Sequence, residues 1–315
     1  MQRNAANELF TKPPWKEGSH LMAEYVMTAK QLEKALESAK DRLPAYIVLL
    51  DFYEKIFMAQ EESKQKTVPV PPFMAPQVVS AKQKDGFPLV NLAEFPIDVP
   101  AALKLFDTIV AITRKTPGRW AEFAEALLNP SDLNSTPLNP SVLFEKFLCQ
   151  DDDFFVRYAK RYGVDSRMLG FVVYNSLRPS LSLSAQQLEV FLKSSPAWEK
   201  GYCPICGSPP GLAVLENDGA RALFCAFCFH KWPTKRVYCP YCGNTDSGSL
   251  QYFYSEQETG YRVDVCEGCG KYIKSVDLRE ITHPIYPPLE ILTTLHLDMK
   301  AREAGYESPV SLLME

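Results

Sequence analysis

Eight of the nine cysteines fall in four Cys-x-x-Cys doublets within 67 residues: Cys203/Cys206, Cys225/Cys228, Cys239/Cys242 and Cys266/Cys269. Two residues between thiols let one tight turn aim both sulfurs at a single ion, and two such turns supply the four corners of a tetrahedron. The spacings are C-x2-C-x18-C-x2-C, ten residues, then C-x2-C-x23-C-x2-C, so each half matches the arithmetic of a four-thiolate site. A reducing interior disfavours structural disulfides, and a ring closed within one doublet suits exchange better than scaffolding. The expected cofactors are two metal ions, iron or zinc. Both accept four thiolates, and only iron adds one-electron capacity. A cage closed by four cysteines leaves no position for a reactive water, so catalysis at the metal is not expected.

Local chemistry supports the turns. Gly207, Gly243 and Gly270 each follow the second cysteine of a doublet, where a positive φ turns backbone N–H groups towards sulfur. Phe229 takes that place in the second doublet, so this turn must adopt a costlier conformation or a different geometry. The region also repeats itself. Cys203-Pro-Ile-Cys-Gly207 and Cys239-Pro-Tyr-Cys-Gly243 open two units, and Arg221 and Arg262 each stand four residues before the next cysteine. The repeat favours one cage from the first two doublets and another from the last two, while an interleaved cross-brace satisfies the same valences.

The elements that hold these turns are short strands. Ala220–Phe224 and Tyr261–Val265 have strand composition, and Asn217-Asp-Gly219 and Glu258-Thr-Gly260 read as hairpin turns. Each unit is then a small β-ribbon around one ion. Ribbons this small bury little, so Phe229 and Trp232 are expected to face the helical body or a protein partner. Upstream, helical periodicity dominates. A capping box opens at Thr28, Pro44 starts a second helix, and helices are expected over 101–113, 120–128, 141–149, 154–162 and 167–177, with another capping box at Ser184 opening a helix to Leu192. Residues 67–100 carry Val68-Pro-Val-Pro-Pro-Phe73 and four later prolines, and read as an extended connector. A last helix is expected over 288–304, ending at Gly305. The fold class is thus multi-domain α+β: a mainly α-helical N-terminal domain (1–198), two tandem rubredoxin-like or zinc-ribbon modules (199–236 and 237–283), and a C-terminal helix and tail (284–315).

Composition narrows the function. With 46% hydrophobic and 23% charged residues among 315, the chain has the content of a folded protein of about two domains. Its net charge of −4 gives no global attraction to nucleic acid. Residues 201–280 hold eight Lys and Arg against nine acids, and thiolate cages deepen that deficit, leaving only a patch at Lys231, Lys235 and Arg236 to oppose it. The first eighteen residues lack the apolar centre of a secretory signal, and the run Ala45–Leu50 is far too short to span a bilayer, so a cytoplasmic location is expected. His20, His230, His283 and His296 form no catalytic motif, and there is no phosphate-binding loop. Glu61-Glu62 reads as a solvated face and Asp151-Asp-Asp153 as a helix start. Cys149 sits at an apolar helical position and reads as core.

The residues resemble a known family, the formate dehydrogenase accessory protein FdhE. The likeness is carried by Cys203-Pro-Ile-Cys-Gly-Ser-Pro-Pro210, by Cys225-Ala-Phe-Cys228 with Trp232 and Arg236-Val237, and by Cys266-Glu-Gly-Cys-Gly-Lys-Tyr-Ile-Lys274, with Leu297-Asp298 and Gly305-Tyr306 in the tail. The resemblance implies a non-enzymatic cytoplasmic accessory protein that meets the catalytic subunit of respiratory formate dehydrogenase before export. It also implies rubredoxin-like iron or zinc sites on the eight paired cysteines. A zinc-ribbon nucleic-acid binder and a thiol redox enzyme are the alternatives.

Overall fold

The computed structural model describes residues 28–70, 74–129, 138–192, 198–255, 258–281 and 283–310. The first eighteen residues, His20 and Pro71-Pro72-Phe73 lie outside them. Ten α-helices and six strands are described, the helices coming first. Helix α1, Ala29–Arg42, starts at the expected capping box: Gln31 N donates to Thr28 Oγ1 at 3.3 Å and Thr28 N to Gln31 Oε1 at 2.8 Å. A tight turn at Pro44–Tyr46 leads into α2, Ile47–Lys64. Then follow α3 (Pro76–Lys84), α4 (Val99–Arg114), α5 (Arg119–Leu128), α6 (Pro140–Leu148), α7 (Asp152–Tyr162) and α8 (Ser166–Leu188). Asp151 caps α7 with two more aspartates in its first turn, the placement the N-terminal dipole favours.

Four local expectations need correction. The stretch 67–100 contains α3, because Pro76 occupies the first helical position, where its missing N–H costs nothing. Cys149 is exposed: it caps the C-terminal end of α6, just past the buried Phe147 and Leu148. Glu61 is not simply a solvated group: its carboxylate lies 2.5 Å from Lys64 Nζ and accepts from Tyr286 Oη at 3.1 Å. The largest difference is α8, which runs unbroken through Pro179 where two helices were expected.

A proline inside a helix leaves the carbonyl four residues back without its donor. Here that carbonyl is Asn175 O, and Gln60 on α2 reaches in to donate to it from Nε2 at 2.8 Å. The neighbouring helix thus supplies the bond that Pro179 cannot. Ser184, which reads in sequence as a cap, instead donates from Oγ to Pro96 O at 2.5 Å, while Ser180 Oγ accepts from Asp98 N at 3.1 Å. Replacing Gln60 by leucine is expected to strip a buried carbonyl of its partner and cost about 1–3 kcal/mol. Adding Pro179→Ala should return an N–H and recover most of the loss. Denaturant titration of the single and double variants checks this, and an unchanged midpoint for Gln60→Leu would refute it.

The six strands form one sheet in the order β3-β2-β1-β6-β5-β4. Strands β1 (Pro210–Leu215), β2 (Arg221–Cys225) and β3 (Lys231–Thr234) make an antiparallel ribbon, as do β4 (Leu250–Tyr254), β5 (Tyr261–Cys266) and β6 (Lys271–Asp277). The ribbons join through a parallel seam, with Ala213 opposite Ser275 and Leu215 opposite Asp277. Joining them removes two open edges that would otherwise template unwanted pairing.

Strand alternation sends residues to two different cores. Ala213, Leu223, Cys225 and Ile273 face the helical body, whereas Leu212, Val214, Phe224, Val263 and Val276 face the other side with Ile285, Leu297 and Ala301. The C-terminal segment covers that second face. It forms two helices, α9 (Pro287–Thr293) and α10 (Leu295–Glu303), rather than the single helix expected, with Thr294 at the joint donating from Oγ1 to Glu290 O at 2.6 Å. Asp298 on α10 accepts from Tyr272 Oη at 2.9 Å and lies 2.5 Å from Lys274 Nζ. On the other side, Tyr286, Leu289 and Leu292 pack with Leu32, Leu36 and Phe57 of α1 and α2. The tail therefore ties the ribbons to the helices.

Candidate metal centres

The four doublets close into two groups in chain order, Cys203/Cys206/Cys225/Cys228 and Cys239/Cys242/Cys266/Cys269, each with its sulfurs within 4.8 Å of one another. The arrangement is sequential, with no cross-brace. In the first cage, Sγ separations are 3.7 Å for Cys203–Cys228, 3.5 Å for Cys206–Cys225 and 3.7 Å for Cys206–Cys228. In the second, they are 3.7 Å for both Cys239–Cys269 and Cys242–Cys266. A regular tetrahedron of metal–sulfur bonds of ~2.3 Å has edges of about 3.8 Å. The spacing is therefore that of four thiolates around one ion, and it lies well beyond a disulfide bond of ~2.05 Å.

Each turn is closed the same way. Gly207 N donates to Cys203 O, Gly243 N to Cys239 O and Gly270 N to Cys266 O, all at 2.9 Å, with φ of 77°, 77° and 67°. Phe229 adopts the left-handed conformation too, at φ 58°, and its N–H reaches Cys225 O at 3.2 Å. A phenylalanine there carries strain on the order of 1–3 kcal/mol. Packing holds it: the Phe229 ring lies against Arg178, whose guanidinium centre is 5.0 Å from it and 5.4 Å from the Phe57 ring. Donors point at sulfur as well. Phe227 N and Cys228 N approach Cys225 Sγ at 3.3 and 3.4 Å, and Asn244 Nδ2 approaches Cys266 Sγ at 3.7 Å. Such bonds stabilise thiolate charge.

The cages differ in burial. All four sulfurs of the first belong to buried residues, whereas in the second Cys242 is exposed and Cys269 half-buried. The first cage sits where ribbon and helices meet. Phe227 stacks on Phe147 at 6.3 Å, Tyr174 Oη donates to Ala226 O at 2.9 Å, and the connector residues Leu89 and Val90 donate to Pro204 O and Ile205 O at 2.9 and 3.0 Å. Trp232, expected to face either the helical body or a partner, is 2% exposed and belongs to the shared core.

Electrostatics reveal what four close thiols require. Burial pushes the Cys203 and Cys228 thiols upward, while at Cys206 the contacts from Cys203, Cys225 and Cys228 outweigh burial and pull it down. In the second cage, burial pushes the Cys266 thiol up, but the bonds from Asn244, the Cys269 backbone, Cys242 and Cys239 together outweigh it and draw the thiol down to about 7. Close thiols thus oppose one another's ionisation, and a central cation is what allows all four to be held as thiolates together. The donor set fits zinc or iron, which when bound supplies a closed tetrahedral centre and, for iron, one-electron capacity.

The structure places the remaining sequence candidates elsewhere. His230 is buried and stacked on Trp232 at 6.4 Å, burial lowering its pKa to about 4, so it is neutral. His296 Nε2 meets Glu258 Oε2 at 2.6 Å, and neither belongs to a cysteine group. Sequence reasoning missed Asn244 as a sulfur contact and Leu89-Val90 as the strap over the first turn. The asparagine directly follows Gly243 and was within reach of a spacing argument; the strap, more than a hundred residues away, was not.

Among the described residues no helix is long and apolar enough to cross a membrane. No protein-family model matches the chain. It is 34% identical over 148 residues to the FdhE homolog of Aquifex aeolicus, which is 46% of this chain and 51% of that protein. It is 30% identical over 112 residues to FdhE of Escherichia coli O9:H4, covering 34% of this chain and 35% of that protein. The chain thus spans about half, or less, of the length of these curated relatives. In fold, it matches the crystal structure of the FdhE protein from Pseudomonas aeruginosa with a TM-score of 0.64 at 21% identity, over 91% of this chain and 94% of that one. The chain is thus similar in sequence to part of these FdhE proteins and shares the fold of the Pseudomonas aeruginosa one.

Proposed function

We propose that the protein is an accessory factor for formate dehydrogenase maturation, acting by binding rather than by turnover. In this reading it works in the cytoplasm and holds the catalytic subunit of the respiratory enzyme before export. Cys203, Cys206, Cys225 and Cys228 hold one iron or zinc ion, and Cys239, Cys242, Cys266 and Cys269 hold another. The observation that carries the reading is a pair of sulfur tetrahedra, closed to a fifth ligand from the chain, in a protein similar to FdhE. Closed cages organise surfaces; they do not offer a coordination site for substrate.

Two rivals lose support. The cationic patch that favoured nucleic acid is largely neutralised: Lys231 lies 2.9 Å from Glu216 and Lys235 3.8 Å from Glu199. A thiol redox enzyme needs a free, accessible thiolate, whereas each of the eight paired cysteines has its sulfur within 3.7 Å of another sulfur of its group. The test is anaerobic co-purification of the tagged protein with the catalytic subunit, with metal analysis of the same sample. Stoichiometric client and two ions per chain are expected. A chain that carries two ions and retains no client would reject the accessory role.

A further inference from the structure

The two arginines that mark the repeat converge in space. Arg221 on β2 and Arg262 on β5 both reach Asp264, Arg221 Nη2 to Oδ2 at 3.1 Å and Arg262 Nε to Oδ1 at 2.8 Å. Arg221 also donates from Nη1 to Tyr238 O at 2.7 Å. With Arg236 and Lys271 they line a cleft of about 290 Å³ in which, among the described residues, Asp264 is the only carboxylate. Among the described residues neither Arg236 nor Lys271 has a carboxylate within ion-pair distance, and the buried Arg221 Nε has no hydrogen-bond partner. Four cations around one acid, in a sequence region where acids outnumber bases, is a built concentration of positive charge.

The walls hold that charge in place. Arg262 lies over the Tyr252 ring at 4.8 Å and Lys271 over the Tyr241 ring at 5.9 Å. Cys239 and Cys266 border the same cleft, so it opens at the rim of the more exposed cage. Leu250, Gln251 and Tyr252 of β4 form another border. Strand β4 is the outermost strand of the sheet, with one edge unpaired, and it carries the exposed, stacked rings of Tyr252 and Tyr254. An open strand edge recruits an extended chain through main-chain bonds, with side-chain pockets giving selectivity.

We propose that this cleft receives an aspartate or glutamate side chain from an extended peptide that lies along β4, seating the acid beside the second cage. A carboxylate suits the guanidinium forks and supplies one charge where the cleft lacks it. A phosphate chain fits worse, because Asp246 and Glu267 flank the turns of the same cage and the thiolates themselves are negative. The inference rests on the accessory reading for its client, naming what such a client presents, but its test does not depend on which client is bound.

The test uses the full-length, metal-loaded protein and a fluorescent seven-residue alternating Thr/Val peptide with one central glutamate, beside its glutamine twin. Anisotropy is expected to give at least tenfold tighter binding for the glutamate peptide. Arg236→Gln and Lys271→Gln, both in the cleft lining, should each weaken that peptide fivefold or more, leave the twin unchanged and keep two ions per chain. Equal affinity for the twins, or no binding of either, would overturn the proposal. So would acetate or inorganic phosphate binding as tightly as the peptide, or an oligo-thymidylate binding more tightly. Failure of client co-purification with this titration intact would reject the accessory reading alone.

Discussion

Cys225→Ser is expected to empty the first cage and loosen the joint between ribbon and helices, whereas Cys242→Ser should empty the second and leave that joint standing. Both substitutions remove one thiolate of four, so the difference comes from location. Cys225 is 1% exposed within the core that includes Phe147, Tyr174 and Leu169, while Cys242 lies at the surface. A structural thiolate-bound ion contributes on the order of 10 kcal/mol of folding free energy. Domain stability is typically ~5–15 kcal/mol, so losing the first ion is enough to abolish cooperative packing there. Thermal unfolding with metal analysis reads the contrast directly. Equal destabilisation by the two variants would contradict the assignment of a structural role to the first cage.

Trp232→Ala is the second large effect. The side chain is fully enclosed, its ring stacks on His230, and its Nε1 donates to Lys200 O at 3.3 Å. Truncating a buried tryptophan costs about 3–5 kcal/mol and opens a cavity in the core that also contains Cys225 and Cys228. The expected outcome is a lowered unfolding midpoint and faster loss of the first ion to a chelator, with the second ion unaffected. An unchanged midpoint together with weaker client capture would instead assign Trp232 to a docking surface.

Much of the centre was readable from residues alone because coordination imposes spacing. The four doublets, the glycine after three of them and the strained Phe229 after the second all follow from what a sulfur tetrahedron demands of backbone. Thr28 and Asp151 were equally legible, since a cap is a contact between near neighbours. What sequence did not show depends on long-range partners. Pro179 reads as a helix stop until Gln60 is seen to fill the vacated bond from another helix. The parallel seam joins β1 to β6, strands about sixty residues apart, and nothing in either announces the other. Cys149 shares its apolar neighbourhood with core residues, yet its position at the helix end turns it outward. The cation cluster shows both sides: the arginine spacing was visible, but the convergence of Arg221 and Arg262 on Asp264 needed the folded sheet.

The central claim is that eight sulfurs close around two ions. X-ray absorption at the metal edge of the full-length protein, with metal per chain measured on the same sample, tests it most directly. Two ions per chain, each with four sulfur neighbours at ~2.3 Å, is the predicted result. A first shell containing nitrogen or oxygen, or a single ion per chain in fully reduced protein, would contradict it.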